Sequence, residues 1–422
     1  MNDTYTDADW LLPLLPEVGM PGTAGLLELA AILRQADAAL ASTFTPAVRA
    51  AIVPLVEVMN SYYTNTIEGQ YTFPLEVEAA LRSAEGTQPQ TEPHSKALLA
   101  RAIIQTEREF VWRAAKLDWE ACLRGDFILE LHRHLYAQLP ESARVISDPD
   151  SVTNGLLRPG ELRAHAVKVG AHIPPRPEAL PVFLTKFSHG YSPMMLPTHG
   201  LSREIWMLVA AMAAHHRLSW IHPFADGNGR VSRMHTTALL QAAGLESMGL
   251  WAWARGLSRD RDGYYNALKA ADRHRAGELD GRGSLSHAGL VAWVEFALQT
   301  ALDQIQFMRE LLAPESFMER FEHLIQRLEG QKRIRHNPRP LFDAIIAGRR
   351  VSRTDAEKLL GLSDRTAKHT LDELMALDLL GLRNVARGAP LSLRFGQRHA
   401  PFLFPDLYPP SIESKLMQAS QE

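Results

Sequence analysis

The chain has 422 residues, 46% of them hydrophobic and 22% charged, with 45 Lys and Arg against 48 Asp and Glu for a formal net charge of -3. That length implies two or three domains with substantial cores, and the near-neutral charge excludes a protein that coats nucleic acid or membrane through bulk electrostatics. The single cysteine, Cys122, excludes an intrachain disulfide framework.

Cys122 reads as a small buried hydrophobe. The acidic first residues lack the basic-then-apolar order of a signal peptide. No apolar run reaches the roughly 18 to 20 residues that would span a membrane. The expected location is therefore cytoplasmic, with no membrane partner.

Apolar residues at helical spacing predict helices over 26–40 and 46–63. The segment 61–70, Ser-Tyr-Tyr-Thr-Asn-Thr-Ile-Glu-Gly-Gln, reads on its residues alone as a helix ending at Gly69. Residues 85–95, with Gly86, Pro89 and Pro93, predict a loop, and 96–139 is again helical in pattern. Within 158–181, Val167 and Val169 alternate with polar neighbours around Gly170, the pattern of a short hairpin strand or, alternatively, of an ordinary surface loop.

The apolar stretches 205–214 and 231–243 both have helical character. Between them residues 222–233 read His-Pro-Phe-Ala-Asp-Gly-Asn-Gly-Arg-Val-Ser-Arg, a loop feeding a helix N-terminus. The first N–H groups of a helix have no partner within it and suit a phosphate. Gly227 and Gly229 let the backbone take positive φ and approach an anion closely. Asp226 is placed to hold Mg2+ beside phosphates. Arg230 and Arg233, three apart, share one helix face where guanidinium forks grip phosphate oxygens. His222 could take a proton from an attacking hydroxyl. Together these residues describe transfer of a phosphate-linked group to an alcohol.

Downstream, 257–268 reads Leu-Ser-Arg-Asp-Arg-Asp-Gly-Tyr-Tyr-Asn-Ala-Leu. Tyr264 and Tyr265 are adjacent, so they point to different helix faces. Gly277, Gly281 and Gly283 mark a loop over 276–286, followed by a helix over 290–311. From 331 to 400 there are fourteen Lys or Arg against seven Asp or Glu, a local basic excess. Helices are predicted there over 341–347, over 353–360 with Ser352 as N-cap, and over 365–379 capped by Ser363 or Asp364. Gly361 sits in the turn between the last two, and strands over 381–385 and 391–395 flank 386–390.

Three helices and a two-stranded wing resemble a winged helix-turn-helix. In such a module Arg365, Lys368 and His369 would face a DNA major groove, with Arg387 on the wing near the backbone. Asp372 and Glu373 on the same helix argue against a fully basic face. Winged helices also serve as dimerisation or docking units. Double-stranded DNA is therefore one expected partner and a protein surface the other.

Segment 222–233 resembles the Fic family signature, His-x-Phe-x-Asp/Glu-Gly-Asn-Gly-Arg-x-x-Arg, at every fixed position. The resemblance implies a mostly helical core with a β-hairpin flap that aligns an extended target segment by strand addition. It also implies transfer of AMP from ATP to a Ser, Thr or Tyr hydroxyl of a protein. By that resemblance His222 is the base and Asp226 the Mg2+ ligand. Gly227, Asn228 and Gly229 form the anion hole, Arg230 and Arg233 bind the β- and γ-phosphates, and Phe224 is a buried anchor. Tyr265 would stack on adenine.

Thr64, Glu68 and Gly69 are similar to the family's Ser/Thr-x-x-x-Glu-Gly/Asn inhibitory motif, in which a carboxylate pairs with the arginine due to meet the γ-phosphate. Gly229 departs from the kinase-like Doc branch, where a Lys stands at that position. Transfer of another nucleotide, removal of AMP, and a transcription regulator with a nucleotide-sensing Fic domain remain alternatives. The target protein is open. Automodification at Tyr62, Tyr63, Thr64 or Thr66 and assembly into a homodimer that moves the inhibitory helix are both included.

The expected fold is mainly α. It has an N-terminal helical region (1–125), a Fic core with its flap (126–311), a linker helix (312–335), a small winged-helix domain (336–400) and a tail (401–422).

Overall fold

The computed structural model describes residues 5–84, 95–116, 118–146, 155–197, 202–382 and 389–421. It is mainly helical, as expected, and the described strands form two small antiparallel sheets. Four helices open the chain: α1 (Thr23–Ala41), α2 (Pro46–Ile67), α3 (Pro74–Ala84) and α4 (Ser95–Ala114). Pro46 occupies the first turn of α2, where a missing N–H costs no helical bond. Glu68 is the C-cap of α2, and Gly69 at φ 73° then turns the chain away.

Next come α5 (Trp119–Leu123), whose cap Asp118 accepts from the Ala121 N–H, and α6 (Gly125–Ala137). Strands β1 (Val145–Ile146) and β2 (Gly155–Leu156) pair antiparallel and lead to α7 (Leu180–Gly190). Between them and α7, Val169 and His172 exchange both backbone hydrogen bonds at 2.9 and 3.0 Å around Gly170 at φ 61°. The expected hairpin is thus a single tight turn.

Helix α8 (Arg203–Ile221) is apolar nearly all round, and such a helix must be covered on every side. It packs on α1, α7, α9 (Asn228–Ala242) and α12 (His287–Leu311). The Trp293 indole of α12 donates to the Met212 carbonyl at 2.7 Å, fastening the two helices. Helices α10 (Trp253–Arg259) and α11 (Arg261–Ala271) close this core. No single helix among the described residues is long and apolar enough to cross a membrane.

Beyond it lie α13 (Pro314–Gly330), α14 (Arg339–Ile346), α15 (Arg353–Leu360), α16 (Asp364–Ala376) and strands β3 (Leu380–Leu382) and β4 (Leu391–Leu393). Ser352 and Asp355 form a reciprocal capping box on α15, and Ser363, of the two expected candidates, caps α16. Helix α16 ends at Ala376 rather than 379 because Asp378 takes φ 54°, turning the chain into β3. Arg387 and the loop joining the two strands lie outside the described residues.

Residues 401–421, named above as a tail, are folded. They include most of α17 (Ala400–Leu403) and all of α18 (Pro410–Ala419). Tyr408 packs edge-on to Tyr62 of α2, its hydroxyl donates to Gln397 at 2.7 Å, and the Tyr63 hydroxyl donates to the Leu407 carbonyl at 3.0 Å. One connected apolar core consequently runs from Ala8 to Leu416, with α2 at the seam between the two halves.

Candidate functional site

The expected loop lies between α8 and α9. His222 ends α8 by adopting φ 50°, ψ 61°, while its N–H still bonds the Leu218 carbonyl at 3.1 Å. A left-handed non-glycine residue costs about 1 kcal/mol or more, so other contacts must hold it there. Asn228 closes the turn: its side chain accepts from the Phe224 N–H at 2.9 Å and donates to the Phe224 carbonyl at 2.8 Å. Phe224 is fully buried and stacks on His132 at 3.9 Å between ring centroids. The His132 Nδ1 accepts from the Gly160 N–H at 2.8 Å, so Nε2 carries the proton toward the Asp226 carbonyl at 3.3 Å.

Arg163 supplies the other anchor. Its Nε donates to the His222 carbonyl at 2.8 Å, and its two terminal nitrogens donate to the His165 and Pro175 carbonyls. The base of the flap and the loop are thereby tied to one fork. Sequence reasoning named neither His132 nor Arg163, since each looks like any polar residue until its partners are seen. Arg163→Ala would orphan three carbonyls around a buried side chain. We expect a loss of roughly 2–4 kcal/mol of stability in urea unfolding. Arg163→Lys should not restore it, because an ammonium cannot span the same acceptors.

Gly227, at φ 85°, is the N-cap of α9. A Cβ there would run into the Tyr136 ring, so the position needs glycine for space as well as for φ. Both arginines are buried and both meet α2. Arg230 Nε donates to Asn65 Oδ1 at 3.2 Å, and its Nη1 lies 3.3 Å from the Tyr136 hydroxyl. Arg233 Nε donates to Thr64 Oγ1 at 2.7 Å, while its Nη2 reaches the Thr64 carbonyl at 3.1 Å and Glu68 Oε1 at 2.6 Å. That carboxylate also lies over Gly229, where a Cβ would overlap Oε1. Burial alone would raise the Glu68 carboxyl, but Arg233 and Arg230 overcome it and hold it below its ordinary value.

Glu68, His222, Gly229, Arg233 and Tyr265 line one cavity of about 570 Å3, with Val169, Gly170 and His172 of the flap turn at its edge. Burial, and next the charge of Arg163, push His222 down to about 4, partly offset by a hydrogen bond to the Ser219 backbone. The imidazole is thus neutral at physiological pH, the form that accepts a proton. Tyr264 is buried with its hydroxyl 3.0 Å from His215, and Tyr265 is half-buried with its hydroxyl 3.4 Å from the Ile67 carbonyl. Both tyrosines nevertheless line the cavity, Tyr264 from a buried position and Tyr265 from a half-buried one, so the expected division between core and site does not hold.

Not every expected residue reaches the cavity. Arg230 and Thr64 lie behind it in contacts between α9 and α2, and Gly69 is exposed at the end of α2. Asp226 is exposed, with Oδ1 accepting from the Gly227 N–H at 2.7 Å. Among the described residues no group of three or more His, Cys, Asp or Glu could hold a metal by itself. Of the proposed automodification hydroxyls, Tyr62, Tyr63 and Thr64 are buried in the seam, and Thr66 donates to the Tyr62 carbonyl at 2.9 Å. None of the four lines the cavity.

A family model described as Fic/DOC family matches residues 122–240. Curated proteins called protein adenylyltransferase Fic, from Drosophila mojavensis and Drosophila melanogaster, are each 34% identical over 145 residues. Those alignments cover 34% of this chain and 24% of each relative, so the chain spans about a quarter of their length. A Fic family protein of Desulfovibrio desulfuricans G20 is 18% identical in its crystal structure, which covers 90% of this chain and 98% of its own at a TM-score of 0.49. Fic-1 from C. elegans is 17% identical, with coverage of 69% and 73% and a TM-score of 0.45. Residues 122–240, which contain the whole loop with His222, Asp226 and both arginines, are a domain of the Fic/DOC family.

Proposed function

We propose that the chain is a self-inhibited protein adenylyltransferase, moving AMP from ATP to a Ser, Thr or Tyr hydroxyl of a protein. The observation that carries this reading is the Glu68–Arg233 pair at 2.6 Å in the same cavity as a neutral His222. The names of the curated relatives support it. His222 takes the hydroxyl proton as the oxygen attacks the α-phosphorus; the bond to the bridging oxygen breaks and pyrophosphate leaves. The N–H groups opening α9 and the guanidinium of Arg233 would receive the phosphate charge. The flap turn at the cavity edge would pair with the extended target segment.

Mg2+ fits this arrangement, because it is commonly held by one or two carboxylates with phosphate oxygens and waters completing the shell. Asp226 is exposed beside the helix N-terminus and gives only Oδ1 to Gly227, so it would be that carboxylate. When bound, the ion neutralises phosphate charge.

Glu68 is the inhibitor in this reading, since it occupies the arginine and the space at Gly229 that the terminal phosphate would need. Intact-mass spectrometry of wild type, Glu68→Gly and Glu68→Gly/His222→Ala with Mg-ATP and candidate targets tests the reading. An AMP-sized gain on a target with the single variant alone is the expected result. No gain with any variant removes it.

The C-terminal module supports a second activity for the same molecule. Arg365, Lys368 and His369 are exposed on one side of α16, and with α14, α15, β3 and β4 they suit a winged helix-turn-helix that binds duplex DNA. A mobility shift should then be salt-sensitive and should weaken in Arg365→Ala/Lys368→Ala. A shift that is absent at low salt excludes this activity and leaves the module as a docking unit.

A further inference from the structure

A second, smaller cavity of about 130 Å3 opens where α2, α4 and α9 meet the segment leading into α10. Its wall is mostly apolar, with Val56, Leu240, Trp251 and Trp253, and three charged residues reach it, the carboxylates Glu57 and Glu107 and the arginine Arg108. The Trp251 and Trp253 indole N–H groups are bonded elsewhere, to Ser247 Oγ at 3.0 Å and to the Ala297 carbonyl at 3.2 Å. What the two rings offer the cavity is therefore apolar and π surface. We propose that this cavity binds a small primary ammonium with a short apolar tail, its charge taken by Glu107.

The charges around Glu107 carry the argument. Arg108, its neighbour on α4, directs Nε and Nη2 in a bidentate pair onto Glu57, at 2.9 and 2.6 Å. Arg233, on α9, is tied to Glu68 and Thr64. Among the described residues the donor to Glu107 is the Asn60 amide of α2, 2.8 Å from both carboxylate oxygens. One neutral donor leaves most of the acceptor capacity of a carboxylate unused. Burial holds the Glu107 carboxyl up at about 7; the Asn60 bond and Arg233 pull it down, and the like charge of Glu57 pushes it further up.

With Arg108 bonded to Glu57 and Arg233 to Glu68, an ammonium would bring N–H groups to the Glu107 carboxylate itself while its tail meets valine, leucine and tryptophan. Tryptophan is also the best aromatic partner for a cation. An apolar cavity of about 150 Å3 accommodates a benzene-sized molecule, so a four-carbon amine suits this volume. The cavity borders the two helices that carry the Glu68–Arg233 pair: Asn60 precedes Thr64 by one turn, and Thr237, also in the wall, follows Arg233 by one turn.

Titration calorimetry of the full chain with n-butylammonium chloride tests the proposal, with 1-butanol as the neutral isostere. The amine stays protonated from pH 6 to 8 while Glu107 ionises through about 7, so affinity should rise about tenfold across that interval, with proton release on binding. Butanol should bind more weakly and with no such pH dependence. In Glu107→Gln the amine should lose its advantage over butanol. Equal binding of amine and alcohol to the wild type, or amine binding that ignores pH, overturns the proposal. Those two comparisons decide it even if the variant does not fold.

Discussion

Glu68→Gly is expected to raise the rate of AMP transfer by about ten- to a hundredfold. A buried hydrogen bond to a charged group contributes roughly 1.5–3 kcal/mol, and each ~1.4 kcal/mol is a factor of ten in rate. In the wild type that contribution is made between Arg233 and Glu68, and on the proposed reading the terminal phosphate of ATP would take it over in the variant. The substitution also clears the space over Gly229. Glu68→Gln should activate less, because its amide oxygen can still accept from Arg233 and its bulk remains. Glu68→Ala separates loss of the carboxylate from the added backbone freedom of two successive glycines. Single-turnover rates against one target protein measure the effect, and a rate for Glu68→Gly equal to wild type would falsify the inhibitory role.

His222→Ala, made in the Glu68→Gly background, is expected to lower transfer by roughly 10²- to 10⁴-fold, the usual contribution of a general base. Nucleotide affinity should change little, since the groups proposed to face the phosphates lie on α9. A loss of binding as large as the loss of rate would point to a collapsed loop instead. Because His222 sits at φ 50°, alanine adds backbone strain. His222→Asn is the better control, as asparagine tolerates that conformation and cannot serve as the base.

The pH profile follows from the same residue. A histidine base works deprotonated, so kcat/KM should fall as pH drops through about 4 and should show no His222 limb near neutrality. Glu68 is among the charges that raise His222, so its removal should move that limb further toward acid.

The candidate loop was legible because its groups are contiguous: imidazole, carboxylate, glycines and arginines all fall within residues 222–233, between two recognisable helices that the structure shows as α8 and α9. The Glu68–Arg233 contact joins residues 165 apart in the chain, and no periodicity contains it. Only the likeness of 64–69 to a known motif suggested it. His132 and Arg163 were not legible at all, because each acts through carbonyl and N–H partners that any polar side chain could have had.

The module over 339–376 was readable from its caps, where Ser352 and Ser363 sit at the predicted starts. The segment after 400, expected only as a tail, carries most of α17 and all of α18. Its signal lay in the density of Phe402, Leu403, Phe404, Leu407 and Tyr408, more apolar surface than a solvated tail would carry.

Glu68 lies one residue past the last helical residue of α2, and the helix before it is pinned beneath Tyr408 and Leu407. The carboxylate can therefore leave Arg233 by turning its own side-chain torsions and fraying a helix end, without extraction of the helix. Motions of that kind run on nanosecond to microsecond scales, whereas helix displacement takes microseconds to milliseconds. Amide hydrogens in the middle of α2 should then exchange equally slowly in wild type and Glu68→Gly, with faster exchange confined to the residues around Gly69. Release of the enzyme would be a fast pre-equilibrium at one residue, present in every molecule, and a regulator would only need to bias it.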